Sequence, residues 1–177
     1  MAHQRPDADT LLQAFIEGLH TAQGDRLVDV LGVVSYKLKQ LADDPASALR
    51  YARGLLPVFQ ALIDQEETDL GLRGAVAEAL CSLSLTLEAA ARLAGGDKVS
   101  LPLQSLQREV LAGFAACFEK PTSLRGRLAI AETVGRLEPT REVIDLARVM
   151  LRHSSSAVRK ALPPHLRVLA GAHPPEL

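Results

Sequence analysis

Between Leu55 and Leu87 the apolar residues recur at i, i+3, i+4 and i+7, the period of an α-helix, and they do so twice. Leu55, Leu56, Val58, Phe59, Leu62 and Ile63 mark one helix; Leu70, Leu72, Val76, Ala79, Leu80 and Leu83 mark the next. The acidic run Asp64–Asp69 lies between them as a turn. Upstream, Leu11, Leu12, Phe15, Ile16 and Leu19 predict a helix capped by Asp9 or Thr10. A second follows Asp25 as cap, with Leu27, Val30, Leu31, Val34, Leu38 and Leu41 on one face. Asp44-Pro45 restarts the chain, a cap followed by a proline where the missing N–H costs nothing, and predicts a helix to about Gln65. Pro57 lies deep inside it and predicts a kink or break near Arg53–Leu56.

The helix from Leu70 to about Leu93 meets a stop at Gly95-Gly96, a left-handed C-cap site. Pro102 then opens a helix through Leu103, Leu106, Val110, Leu111, Phe114 and Phe118, stopped by Lys120-Pro121. Ser123 caps one over about Leu124–Leu137, and Pro139-Thr140 starts another with Val143, Ile144, Ala147 and Met150 inward. His153–Ser156 is a turn, and a last helix from Ala157 is cut by Pro163-Pro164 and resumes through Ala170. That makes about eight helices, in one all-α domain over residues 9–170, with flexible tails at 1–8 and 171–177. Gly32, Gly54, Gly74, Gly113, Gly126 and Gly135 fall inside helical patterns, at about 1 kcal/mol each against alanine, so some are expected where helices approach closely.

Composition agrees with an all-helical chain. Of 177 residues nearly half are apolar, mostly Leu, Ala and Val, while Trp is absent. Cys81 and Cys117 sit in apolar helical stretches and read as buried free thiols. No charge-free run of 18 apolar residues exists, and the opening MAHQRPDADT is polar. No membrane span and an intracellular location, cytoplasmic or nuclear, are therefore expected.

The helix at Leu72–Leu83, LRGAVAEALCSL, has an echo 52 positions later in LRGRLAIAETVGRL, and a weaker one in VRKALPPHLRVLA from Val158. Repeated helix pairs stack into solenoids. Leu55–Leu83 resembles a HEAT repeat: a Leu-Leu-Pro opening, Asp64 after the first helix, and Leu72-Arg73 followed by small residues in the second. Leu124-Arg125 and Val158-Arg159 match in part, and about two-thirds of the chain is covered. The resemblance implies a short, irregular, right-handed α-solenoid serving as a protein–protein interaction scaffold without a cofactor. It also implies that Asp64, Arg73, Arg125 and Arg159 lock adjacent repeats. Some HEAT-like proteins are DNA glycosylases, but that activity asks for aromatic faces and a basic concave surface.

Charge is unevenly spread. Residues 1–119 hold 10 Lys and Arg against 16 Asp and Glu, net −6; residues 120–177 hold 10 against 5, net +5. The basic third offers Arg125, Arg136, Arg141, Arg148, Arg152, Arg159, Lys160 and Arg167 as candidate partner-binding residues. Arg141, Arg148 and Arg152 follow i, i+7 and i+11, one helical stripe. The plainer alternative is a solvated face paired with Glu138, Glu142 and Asp145. Catalytic and metal-binding motifs are missing: no HExxH, G-x-S-x-G, Gly-rich phosphate loop or paired Cys-x-x-Cys. The histidines His3, His20, His153, His165 and His173 fall mostly at helix ends or in tails. The sequence therefore points to a non-enzymatic module for another protein or a larger assembly. Two alternatives stay open: a compact helical-bundle subunit of an obligate complex, and nucleic-acid binding through the basic end. Leu162, Leu166, Val168 and Leu169 lie close together and mark the C-terminal end as a docking candidate.

Overall fold

The structure, a computed structural model, describes residues 8–152 and 155–172. It is all-helical, with nine helices among the described residues: α1 Ala8–Thr21, α2 Asp25–Lys39, α3 Pro45–Asp64, α4 Leu70–Ala94, α5 Ser100–Glu119, α6 Leu124–Val134, α7 Arg141–Arg152, α8 Ser156–Ala161 and α9 Pro164–Ala172. The ninth arises at Pro163-Pro164, where the chain restarts with Pro164 as first helical residue. Gly171 and Ala172, expected in a tail, close α9. The predicted tails 1–7 and 173–177, with His3 and His173, and the turn residues His153 and Ser154 lie outside the described residues.

Local chemistry sets most of the ends. Asp44 caps α3, its carboxylate accepting from the Ser47 N–H (3.2 Å) and hydroxyl (2.7 Å), with Pro45 behind it. Asp69 caps α4 through the Leu72 N–H (2.7 Å) and Ser123 caps α6 through the Gly126 N–H (3.2 Å). Gly95 ends α4 at φ 57°, a conformation open to glycine. Two expected caps are displaced. Helix α1 already starts at Ala8, so Asp9 and Thr10 fall inside it; α2 is capped by Gly24, which makes Asp25 its first residue. Helix α3 runs unbroken through Pro57. Pro57 and Arg53, whose carbonyl loses its partner there, are both exposed, so water can supply the missing hydrogen bond. Helix α6 stops at Val134, short of the expected Leu137, with Gly135 as its C-cap.

Every helix up to α7 packs on the next but one, and most also pack on the next, α2 on α3 and α8 on α9 being the exceptions. Helices α1, α3, α5, α7 and α9 contact one another in that order, as do α2, α4, α6 and α8. The two rows face each other across a continuous core that includes Leu31, Leu38, Leu55, Phe59, Leu80, Leu87, Leu103 and Phe114. Phe15 meets buried Tyr51 edge-on at 6.4 Å between ring centroids, joining α1 to α3. Helix α4 is the hub, packed against α2, α3, α5 and α6. Its length and hydropathy would suit a membrane span, yet two-thirds of its apolar window is buried in the protein. Small residues let it approach α6. A Cβ on Gly126 would stand 2.6 Å from the Gly74 Cα, and one on Gly74 would run into the Ser123 side chain. The expectation of close approach therefore holds for this glycine pair, whereas Gly32 on α2 has open space beyond it.

Candidate interaction groove

Two turns show how the hairpins are fastened. After α3, the buried Thr68 hydroxyl donates to the Leu62 carbonyl (2.9 Å), Asp69 caps α4, and Arg73 follows four residues later. Arg73 is 2% exposed. Its Nε donates to the Ile63 carbonyl (3.0 Å), one terminal nitrogen to the Gln65 carbonyl (2.9 Å), and the other to the Pro121 carbonyl before α6. The C-terminal carbonyls of α3 suit a buried cation because they carry the negative end of the helix dipole. After α5 the same parts recur: the buried Thr122 hydroxyl donates to the Cys117 carbonyl (2.7 Å), Ser123 caps α6, and Arg127 follows four residues later. Arg127 donates to the Lys120 carbonyl (2.9 Å) and stacks over Phe118 at 5.6 Å. Burial lowers its pKa from the ordinary value, with Cys117 opposing the shift. In α8, Ser155 caps through the Val158 N–H (3.4 Å) and Arg159 again stands four residues after the cap.

The equivalent of Arg73 is therefore Arg127, at an offset of 54, and not Arg125. The 52-residue echo of Leu-Arg-Gly marks where Gly74 meets Gly126. Arg125 is exposed and pairs with Glu78 (3.0 Å) across α4 and α6. Asp64 is exposed and makes no hydrogen bond or ion pair among the described residues, so Arg73 is held by backbone carbonyls instead. The signal that could have set the register is the shared Thr, five residues before each arginine.

The eight basic candidates fall on both rows of helices. Arg125, Arg136, Arg159 and Lys160 belong to the row of α2, α4, α6 and α8, while Arg141, Arg148, Arg152 and Arg167 belong to the other. Arg148 is largely occupied: it pairs with Asp145 (2.8 Å) and donates to the Ala170 carbonyl (3.2 Å), tying α7 to α9. Arg136, Arg141, Arg152, Lys160 and Arg167 are exposed. The C-terminal apolar cluster also changes character: Leu162 and Leu166 are fully buried, which leaves Val168 as its one exposed large apolar residue.

Besides a recess of about 520 Å³ at the α1–α2 turn, lined by Gly18, Ala22, Arg26 and Val30, two concavities lie where three segments meet. The first, about 380 Å³, lies where the end of α4 meets α5 and the start of α7, over Leu87, Leu111, Leu137 and Val143. Its central polar group, Glu88, accepts from the Glu138 N–H (3.1 Å), the Gln107 amide (3.2 Å) and Arg92 (3.5 Å). That carboxylate is already committed to joining α4, α5 and the α6–α7 connection, and the cleft reads as a joint.

The second, about 420 Å³, is a groove along the row α2, α4, α6. Helix α4 forms its floor with Ala75, Glu78, Cys81, Ser82 and Leu85. Val28, Gly32, Ser35 and Lys39, at i, i+4, i+7 and i+11, make the α2 wall; Ala129 and Thr133 on α6, with Arg136 in the turn after it, make the other wall. The floor thiol is inert: burial pushes Cys81 up to about 12, with a Thr133 hydrogen bond acting the other way. Burial also pushes Cys117 up to about 12, as suits the buried free thiols expected. Lys39 and Arg136 are exposed and have no ion-pair partner among the described residues. The periodicity of α2 did not reveal this wall, because Gly32, Ser35 and Lys39 read as a solvated face. No family model, curated protein or solved structure matches the chain.

Proposed function

We propose that this chain is a short, irregular HEAT-like solenoid that works as a protein–protein interaction module. The row of α2, α4, α6 and α8 carries its docking face. The observation that carries this reading is the groove, where small residues on the floor sit between walls ending in Lys39 and Arg136, neither ion-paired among the described residues. The order of helix contacts supports the stacked architecture, since each hairpin touches its neighbours in chain order. The recurring cap-plus-four arginine supports a repeat, at unequal spacings of 54 and 32 residues. The splitting of the basic residues over both rows favours this face over a nucleic-acid surface at the C-terminal end.

The test uses a displayed library of helical peptides panned on the whole protein, then on Gly32→Trp. Gly32 is exposed and open, so a large side chain there fills the groove without entering the core. The helix should gain up to about 1 kcal/mol from losing a glycine, so the melting temperature should hold or rise. Binders that bind wild type and lose at least about tenfold in affinity on Gly32→Trp support the docking face. Binders indifferent to Gly32→Trp, or no binders, contradict it.

A further inference from the structure

The groove's two ends differ in charge. At one end Glu78 is satisfied by Arg125 (3.0 Å). At the other stand Lys39 and Arg136, on opposite walls. Lys39 follows Leu38, whose carbonyl takes the Thr86 hydroxyl (2.8 Å). Arg136 lies between Thr133, bonded to Cys81, and Glu138, whose N–H meets Glu88 (3.1 Å). Both cations are therefore level with Leu85 on the floor. Three acids stand close in sequence, Glu132 one turn before Arg136, Glu138 two residues after it and Asp43 four after Lys39; all are exposed, outside the groove lining and, among the described residues, not ion-paired with either cation.

The walls also restrict the occupant's form. They are helices, with backbone groups bonded internally, so no sheet edge is available to an added strand. The floor from Ala75 to Leu85 spans ten residues, about 15 Å or three helical turns. Helices packed at about 8–10 Å place α2 and α6 far enough apart for one more helix over α4.

We infer that the groove receives an amphipathic helix of a partner protein, its apolar stripe on Val28, Ala75, Leu85 and Ala129, and an acidic residue at the Leu85 end held between Lys39 and Arg136. The inference rests on the groove being the docking face. Long-range attraction from the two cations would orient the helix, and their desolvation against a carboxylate would fix its register.

The same peptide library tests it, panned in parallel on wild type and on Lys39→Glu/Arg136→Glu. Both positions are exposed, so the double variant should keep its fold, checked by circular dichroism. Wild type should enrich Asp or Glu at one end of the apolar stripe, and the double variant Lys or Arg at that position. A selected acidic peptide should lose about tenfold or more in affinity on the double variant, less at high salt, and recover when its acid is changed to Lys. Peptides that need an open groove by the Gly32→Trp criterion, yet show no acidic preference and ignore the charge reversal, overturn this inference and leave the docking face standing. Peptides that ignore Gly32→Trp overturn both.

Discussion

The α3–α4 and α5–α6 turns are built from the same parts, a buried threonine, a capping Asp or Ser, and an arginine four residues later, but they join different things. Arg127 is half-buried and donates within its own hairpin, to the Phe118 and Lys120 carbonyls. Arg73 is buried and reaches both its own hairpin and the Pro121 carbonyl of the next. The same device closes a hairpin in both turns, and the buried Arg73 also couples its hairpin to the next. A guanidinium suits both uses because its planar fork offers five donors.

The difference can be broken by mutation. Arg73→Ala should have the largest effect, about 3–4 kcal/mol by urea unfolding, because it removes three charge-assisted hydrogen bonds to the Ile63, Gln65 and Pro121 carbonyls at a buried site. Arg73→Lys should recover only part of this, having a single point of charge. Next comes Gly126→Ala, at about 2–3 kcal/mol, since its Cβ would press on the Gly74 backbone and the two helices must part. Arg127→Ala should cost about 1–2 kcal/mol, less than Arg73→Ala because the site is half-open to water. Arg125→Ala should stay within about 0.5 kcal/mol, its partner Glu78 being a surface contact. If Arg125→Ala proves the costlier of that pair, the repeat register is 52 and the assignment of Arg127 is wrong.

A smaller effect concerns the cap of α3. Hydrogen bonds from the Ser47 hydroxyl and then its N–H hold the Asp44 carboxyl below its ordinary 3.8. A lowered folded pKa contributes stability above the unfolded value and loses it as pH falls through the folded one. Asp44→Asn keeps a cap but does not titrate. Wild type should therefore lose stability relative to Asp44→Asn only below about pH 3.8, and modestly, the site being exposed. Urea midpoints at about pH 5 and about pH 3 check the sign. A constant difference between the two would assign the cap no role for its charge.

What the sequence disclosed was local. Asp44-Pro45, Ser123 and Gly95 announce helix ends because their chemistry acts within one turn, and the apolar stripes identify the core. Pro57 does not break its helix, an outcome that depends on whether the carbonyl at Arg53 faces water, which only packing decides. The Leu-Arg-Gly echo misled because two glycines that touch produce an echo as strong as two residues that correspond. The groove was hidden for the same reason: Lys39 and Arg136 are far apart in sequence, and only the stacking of α2 and α6 on α4 sets them opposite each other. The basic C-terminal third looked like a site in one dimension, but its arginines are dealt to two rows of helices.

The claim on which the functional account depends is that the α2–α4–α6 groove is where a partner helix sits. Methyl NMR on the full chain, titrated with a peptide selected on wild type, tests it directly. The account predicts the largest shifts at the methyls of Val28, Leu85, Ala75 and Ala129. Shifts centred on Leu137 and Val143 at the other cleft, or on Val168 at the C-terminal end, would contradict it.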